Sequence, residues 1–263
     1  MAAILLVGYV GVMALLMIAW YGAGLQEQFT WFDDSAEWLQ LDKLGHVLVC
    51  FQISRAAMGL LRWAEADKPL ILWVGGPMGF WMFSPAEVLD GFSPAYGASL
   101  PDLISNAVGS AWAIWSWHRW QGFPLPFKHS WLPSPWAPLR PDLLGSNYPQ
   151  QFVKDYNGMT LWLSLNLRTL LPHALARRVP AWLNIAVGYG GEGMLGGYGK
   201  LPEWVIAGRE YRQWYIGPDL DLDALAPRYP WARTPLFMVN ALRLPMPALR
   251  YDRDGLAWTW MGF

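Results

Sequence analysis

Apolar positions gather into four runs in the first half of the chain. They are Ala2 to Gly24, without a charged residue; Leu44 to Trp63, interrupted by Arg55; Pro69 to Phe83, extendable through Pro85 to Leu89; and Leu103 to Trp117. A bilayer core of ~30 Å takes about 20 such residues to cross, so the pattern predicts four spanning helices. A secretory signal is the competing reading of the first run. Its usual leading segment is basic, and nothing basic precedes Ile4, so a retained span is expected. Glycines within the runs (Gly59, Gly75, Gly76, Gly79, Gly109) predict close helix approach, and Pro77 predicts a kink.

The pattern changes after residue 119. Residues 121 to 149 are rich in proline and tryptophan, and no regular element longer than a turn or two is expected there. Residues 151 to 171 predict an amphipathic helix, which Asn166 and Arg168 keep from being a full span. Residues 181 to 198 are apolar, glycine-rich and contain Glu192, which suits a short helix, a re-entrant segment or an extended loop. Asp219, Asp221 and Asp223 alternate but lack the central glycine and closing glutamate of a calcium loop. A helix start after Gly217-Pro218 is the plainer expectation. Leu242 to Phe263 alternates around Trp258 and Trp260 and predicts a short hairpin. The expected fold is therefore an all-α integral membrane protein. Residues 1–119 form a four-helix transmembrane bundle, and residues 120–263 form a Pro/Trp-rich interfacial region.

Composition supports this reading. Hydrophobic residues make up 54% and charged residues 15% of the chain, against roughly a quarter charged in soluble domains. So much apolar surface excludes intrinsic disorder. A net charge of −1 gives no basis for a nucleic-acid partner. A single cysteine excludes an internal disulfide and a cysteine-built zinc site. The 19 tryptophans suit an aromatic belt at a bilayer surface. Basic residues fall in alternate loops (Arg62 and Lys68, then Arg119, Lys128 and Arg140), which puts the N-terminus in the cytoplasm.

Three polar pairs stand at the helix ends: Lys43 with His46, Glu87 with Asp90, and Asp102 with Asn106. Spacings of three or four put each pair on one helix face, and alternating topology brings all six side chains to one membrane surface. Ionisable groups near hydrocarbon are costly unless paired, so the six are expected to point at one another. A structural ion-pair network is one reading. A divalent metal site from His46, Glu87, Asp90 and Asp102 is a second. A general acid–base site with His46 as proton shuttle is a third. No serine or cysteine nucleophile accompanies them, because Cys50 lies a turn deeper. His118 reads as a polar helix end rather than a pigment ligand.

The series Asp42-Lys43-x-x-His46, Glu87-x-x-Asp90-Gly91 and Asp102-Leu103-x-x-Asn106-x-x-Gly109 resembles the YfiM-like bacterial membrane family. More distantly it is similar to VanZ-like membrane proteins. Stretches Asp155 to Asn166, Pro180 to Met194, Asp219 to Leu222 and Leu242 to Leu249 extend the resemblance over most of residues 42 to 250. It implies an envelope-associated membrane protein and supplies no reaction; with the four predicted spans, the expected location is the bacterial inner membrane, multi-pass. No lipobox cysteine follows the first run, so lipoprotein processing is not expected. The expected role is a non-enzymatic structural or accessory subunit of a larger membrane complex, with the lipid bilayer and other membrane subunits as partners. The alternative is an envelope-lipid enzyme, or a metal- or lipid-binding protein, using the outer cluster.

Overall fold

The computed structural model describes residues 24–94, 97–197, 210–226 and 228–262. The predicted first span, apart from Gly24, lies outside these residues.

A helical layer comes first. Helix α1 (Leu41–Trp63) is its axis. It is entered through three consecutive left-handed residues, Trp38 (φ 50), Leu39 (φ 53) and Gln40 (φ 65). That conformation costs a non-glycine residue roughly 1–2 kcal/mol, and distant side chains hold it in place. Tyr189 Oη donates to the Leu39 carbonyl at 2.6 Å, and Arg212 Nη2 donates to Gln40 Oε1 at 2.8 Å.

The third apolar run does not form one helix. It breaks into a turn at Lys68–Leu70, a π-helical turn at Ile71–Gly75, helix α2 (Met78–Phe83) and helix α3 (Pro85–Gly91). Pro77 has no N–H and ends the first segment. The first-turn amides of α2 are taken by neighbouring serines: Gly79 N donates to Ser54 Oγ at 3.0 Å and Phe80 N to Ser110 Oγ at 2.8 Å. Helix α4 (Leu100–Trp120) is capped by Ser99, whose hydroxyl accepts from Asp102 N at 3.1 Å. Both α2 and α4 press backbone to backbone on α1. A Cβ at Gly79 would strike the Cys50 carbonyl, and one at Gly109 would strike that of Val47.

A six-stranded antiparallel sheet follows, in chain order: β1 (Phe127–Trp131), β2 (Met159–Asn166), β3 (Leu183–Glu192), β4 (Tyr211–Leu220), β5 (Ala248–Asp252) and β6 (Gly255–Thr259). The sheet curls. The free edge of β1 meets the segment leading into β5, with His129 N bonded to Ala241 O at 3.0 Å and Arg243 N to His129 O at 2.8 Å. Lys128 on β1 also reaches Asp219 on β4, two strands beyond its neighbour, at 2.7 Å. The enclosed face is largely polar around a small apolar cluster of Trp162, Ala186, Tyr215 and Ala248: Ser164 Oγ donates to Asp219 Oδ2 at 2.6 Å, Asn184 Nδ2 to Ser164 Oγ at 2.9 Å, and Trp162 Nε1 to Ser130 Oγ at 2.8 Å. Arg243 stacks over the Trp162 ring at 3.9 Å. The opposite face of β2 and β3 is apolar and lies on α1 through Leu161, Tyr189 and Leu41.

This architecture corrects the all-α, four-span expectation. Among the described residues one helical stretch, Glu37–Trp63, is long and apolar enough to cross a membrane. It is the packed axis of the fold and carries buried Lys43 and Arg55. Helix α4 is lined by Asp102, Ser105, Asn106, Ser110 and Ser116. The region beyond residue 120, expected to be irregular and interfacial, contains all six strands of the sheet. The helix predicted within 151–171 is instead strand β2. There Thr160, Trp162, Ser164 and Asn166 alternate with leucines, a period of two that the leucine count concealed. Residues 183–192, read as a short helix, re-entrant segment or loop, are strand β3, and Gly217-Pro218 lie inside β4. The hairpin expected near the end is β5–β6.

Candidate functional site

The site lies at the seam between the helical layer and the second half of the chain. Asp42, Lys43 and His46 come from the first turns of α1, positioned by the left-handed entry. Glu87 and Asp90 come from α3, and Asp102 and Asn106 from the start of α4. Asp34 arrives from the preceding loop. Tyr156 arrives from the segment before β2, its hydroxyl donating to Asp42 Oδ1 at 2.5 Å.

Lys43 is the hub. Its ammonium stands 2.6 Å from Asp34 Oδ2, 2.8 Å from Asp42 Oδ2 and 2.6 Å from Asp102 Oδ1. Three carboxylates thus share one cation. The contact with Asp102 is close but poorly aligned, and Asp102 Oδ1 is buried without a well-formed hydrogen bond.

His46 is oriented by Asn106, whose Oδ1 lies 2.9 Å from Nδ1. A carboxamide oxygen only accepts, so Nδ1 carries the hydrogen. The opposite nitrogen, Nε2, faces Asp42 Oδ1 at 3.9 Å and Asp102 Oδ1 at 3.7 Å. Asn106 is itself fixed, with its Nδ2 donating to Ser84 Oγ at 3.3 Å and its Oδ1 accepting from Cys50 Sγ at 3.2 Å. Glu87 lies behind the imidazole, with Oε1 3.6 Å from Nδ1.

The surplus of acid shifts the titrations. Burial pushes Glu87 up to about 8; His46 opposes this while Asp102, Asp90 and Asp42 add to it. Asp102 is pushed up to about 7 by burial and then by Asp42, against the pull of His46 and Lys43. Asp42 ends below the ordinary carboxylate range. Burial works against it and is outweighed by His46, Lys43 and the hydrogen bonds from Lys43 and Tyr156. His46 is raised, because Asp42, Asp102 and Glu87 overcome its burial. Lys43 is raised likewise, its burial outweighed by Asp42 and by hydrogen bonds to Asp102 and Asp34.

Asp42, His46 and Asp102 open onto a cavity of about 200 Å³, which Asp34, Asp90 and Tyr156 also line. Of the four metal ligands proposed from sequence, His46 and Asp102 can share one ion, and the third ligand atom in reach is from Asp42. Asp90 borders the cavity, and Glu87 sits on the far side of the ring. Sequence reasoning quoted Asp42 in a motif without giving it a ligand role, although its i,i+4 spacing to His46 is a usable signal. Asp34 and Tyr156 carry no such signal, because a loop and a remote segment deliver them.

Other polar residues fall elsewhere. Arg55 is buried and bonds to Asp223 Oδ2 at 2.8 Å and the Phe237 carbonyl at 2.9 Å. Asp219, Asp221 and Asp223 turn to Lys128, Asn240 and Arg55 respectively and do not converge on one ion. Cys50 is fully buried.

Residues 29–118 match a family model described as DUF2279, predicted periplasmic lipoprotein. No curated protein and no solved structure matches the chain. The family match covers the helical layer and most of the site's side chains. It corrects the resemblance to YfiM-like and VanZ-like membrane proteins, which was drawn over residues 42 to 250. It also overturns the multi-pass inner-membrane location and the accessory-subunit role. The second half, expected to be an irregular region lying on a membrane, carries a six-stranded sheet with a filled interior.

Proposed function

We propose that the protein is a divalent-cation-binding protein of the bacterial envelope, holding the ion with His46 Nε2, Asp42 Oδ1 and Asp102 Oδ1. Its likeness over residues 29–118 to predicted periplasmic lipoproteins favours the periplasmic side.

The observation that carries the reading is the charge at the cavity wall. Once His46 gives up its proton to become a ligand, and with Glu87 protonated, the carboxylates of Asp34, Asp42 and Asp102 against the one Lys43 ammonium leave two negative charges, which one divalent ion would neutralise. The geometry agrees. A metal-ligating histidine usually donates its other ring N–H to a carbonyl or carboxylate, and Asn106 Oδ1 takes that part here. The distances of 3.9 and 3.7 Å between the three donors close onto an ion with small side-chain movements. An imidazole with two carboxylates suits zinc, manganese or iron. The cavity leaves room for water on the open side of the ion, where a bound water would be acidified.

Calorimetric titration of the purified chain with Mn²⁺ and with Zn²⁺ tests this. One site per chain is expected, lost in His46→Ala and Asp102→Asn and kept in the remote Asp254→Asn. Affinity should fall as pH drops below about 7, because binding displaces protons from His46 and Asp102. Failure of both metals to bind, or binding unchanged in the first two variants, overturns the reading.

A further inference from the structure

We propose that the outward face of β4–β6 lies against the hydrocarbon of a lipid bilayer. The pairing of the strands puts two apolar rows on that face. Trp214 pairs with Tyr251 and Tyr251 with Leu256; Ile216 pairs with Leu249 and Leu249 with Trp258. All six side chains are exposed, Leu256 to 70%, and Trp260 extends the second row at 76%.

This face is the continuation of a packed one. On β2 and β3 the same side is covered by α1 at Leu161 and Tyr189, while Val187, paired with Ile216, stays exposed. The cover stops at Tyr189, whose ring meets Trp214 at 4.7 Å. The other side cannot serve as an alternative core, because it is already filled by Gln213, Tyr215, Asp219 and Asp252 with their partners. From Trp214 onward the outward positions of β4–β6 are apolar, with Arg212 at the margin bonded to Tyr189 and Gln40, while the inward positions are mostly polar; this is close to the pattern of a lipid-facing sheet.

Two observations favour lipid over a protein partner. First, the exposed apolar surface is not one patch. Leu100, Ile104, Val108 and Trp115 form an exposed stripe along α4, with spacings that keep them on one side of the helix. An open apolar groove between Trp81, Val88 and Leu103 lies beside it. A docked protein covers one site, whereas a hydrocarbon phase meets surfaces on several elements. Second, the uncharged run Ala2 to Gly24 leads directly into the described residues. Its length suffices for a bilayer core of ~30 Å, so the chain carries a means of holding this body at a membrane. Tryptophan and tyrosine are the side chains enriched at such a boundary. None of this depends on the cation reading.

Because residues 2–24 could bind vesicles unaided, local environment is the readout, not vesicle binding. Full-length Leu256→Cys, Trp258→Cys and Asp142→Cys are each spin-labelled and reconstituted in phosphatidylethanolamine/phosphatidylglycerol vesicles. Cys50 is buried and unlabelled in the parent. Oxygen should reach the label better than a water-soluble nickel complex at 256 and 258, with the order inverted at 142. Equal nickel access at all three positions overturns the proposal. So does dipolar broadening at 256 and 258, which would show a second copy seated on the face.

Discussion

The molecule contains two buried polar clusters built on opposite principles. Inside the curled sheet, Lys128 meets Asp219 one to one, both side chains 1% exposed; Ser164 donates to Asp219 Oδ2, Lys128 donates to the Leu220 carbonyl, and Asp219 Oδ1 has no hydrogen bond. At the helical seam, one lysine serves three carboxylates, two further acids stand close by, and a cavity opens beside them. The first cluster is closed and matched in charge, one cation to one anion, as suits a structural network. The second is open and mismatched, and perturbed titratable groups in a cleft are what supports the cation site proposed there. Burial of charge alone does not distinguish structure from function. Stoichiometry and access do.

The comparison can be broken most decisively at the sheet. Lys128→Met leaves Asp219 buried and unpaired, and loss of one partner from such a pair costs about 3–5 kcal/mol. A large fall in Tm is expected, with cation binding at the seam retained in the fraction that folds. Adding Asp219→Leu should recover much of the loss, since an apolar pair replaces a buried ion pair at little cost.

The seam should behave otherwise. Asp102→Asn is expected to leave the cation-free protein about as stable as the parent at pH 7, because it removes surplus charge. It should abolish the rise in stability on adding metal, which for the parent is about 2.7 kcal/mol at a hundredfold excess over Kd. A thermal melt with and without Mn²⁺ reads both. Should Asp102→Asn unfold the chain as Lys128→Met does, the two clusters are of one kind.

Gly109→Ala tests how the seam is held together. The added methyl meets the Val47 carbonyl, and overpacking of this sort costs about 1–3 kcal/mol. Chemical denaturation should show that loss, and metal affinity should fall with it, since Asp102 and Asn106 ride on the same helix.

At pH 5 the smallest effect is expected at Glu87. Its folded-state value of about 8 lies above its ordinary 4.5. The folded chain therefore holds a proton that the unfolded chain releases, and stability declines as pH rises between those values. Glu87→Gln mimics the protonated carboxyl and should flatten that decline, leaving the variant more stable than the parent at pH 9 and near it at pH 5. Parallel melting curves at both pH values would remove the basis for a protonated Glu87.

The parts of the site legible in the sequence were those delivered by local periodicity. Lys43 with His46, Glu87 with Asp90 and Asp102 with Asn106 each share a helix face, and a spacing of three or four suffices to read that. Asp34 and Tyr156 were not legible, since nothing local ties a loop residue or a segment more than a hundred positions away to Asp42. The helices at Leu41–Trp63 and Leu100–Trp120 lie where their apolar runs fall. The sheet was missed because its buried face is polar. Ser164, Asn166 and Asn184 look like surface positions, and the apolar residues between them look like a helix or a span.

The sequence alone determined two long helices, the glycines that let the helical layer close, and the three polar pairs at helix ends. These depend on neighbours within a few residues, where backbone geometry decides who faces whom. The tertiary structure decided that the second half is a sheet curled around its own polar side chains. It decided that α1 is a packed axis, and that Asp42 rather than Glu87 completes the cluster with His46 and Asp102. Those outcomes depend on which remote segments meet, and a register of residues far apart in the chain is set by the packing of the whole.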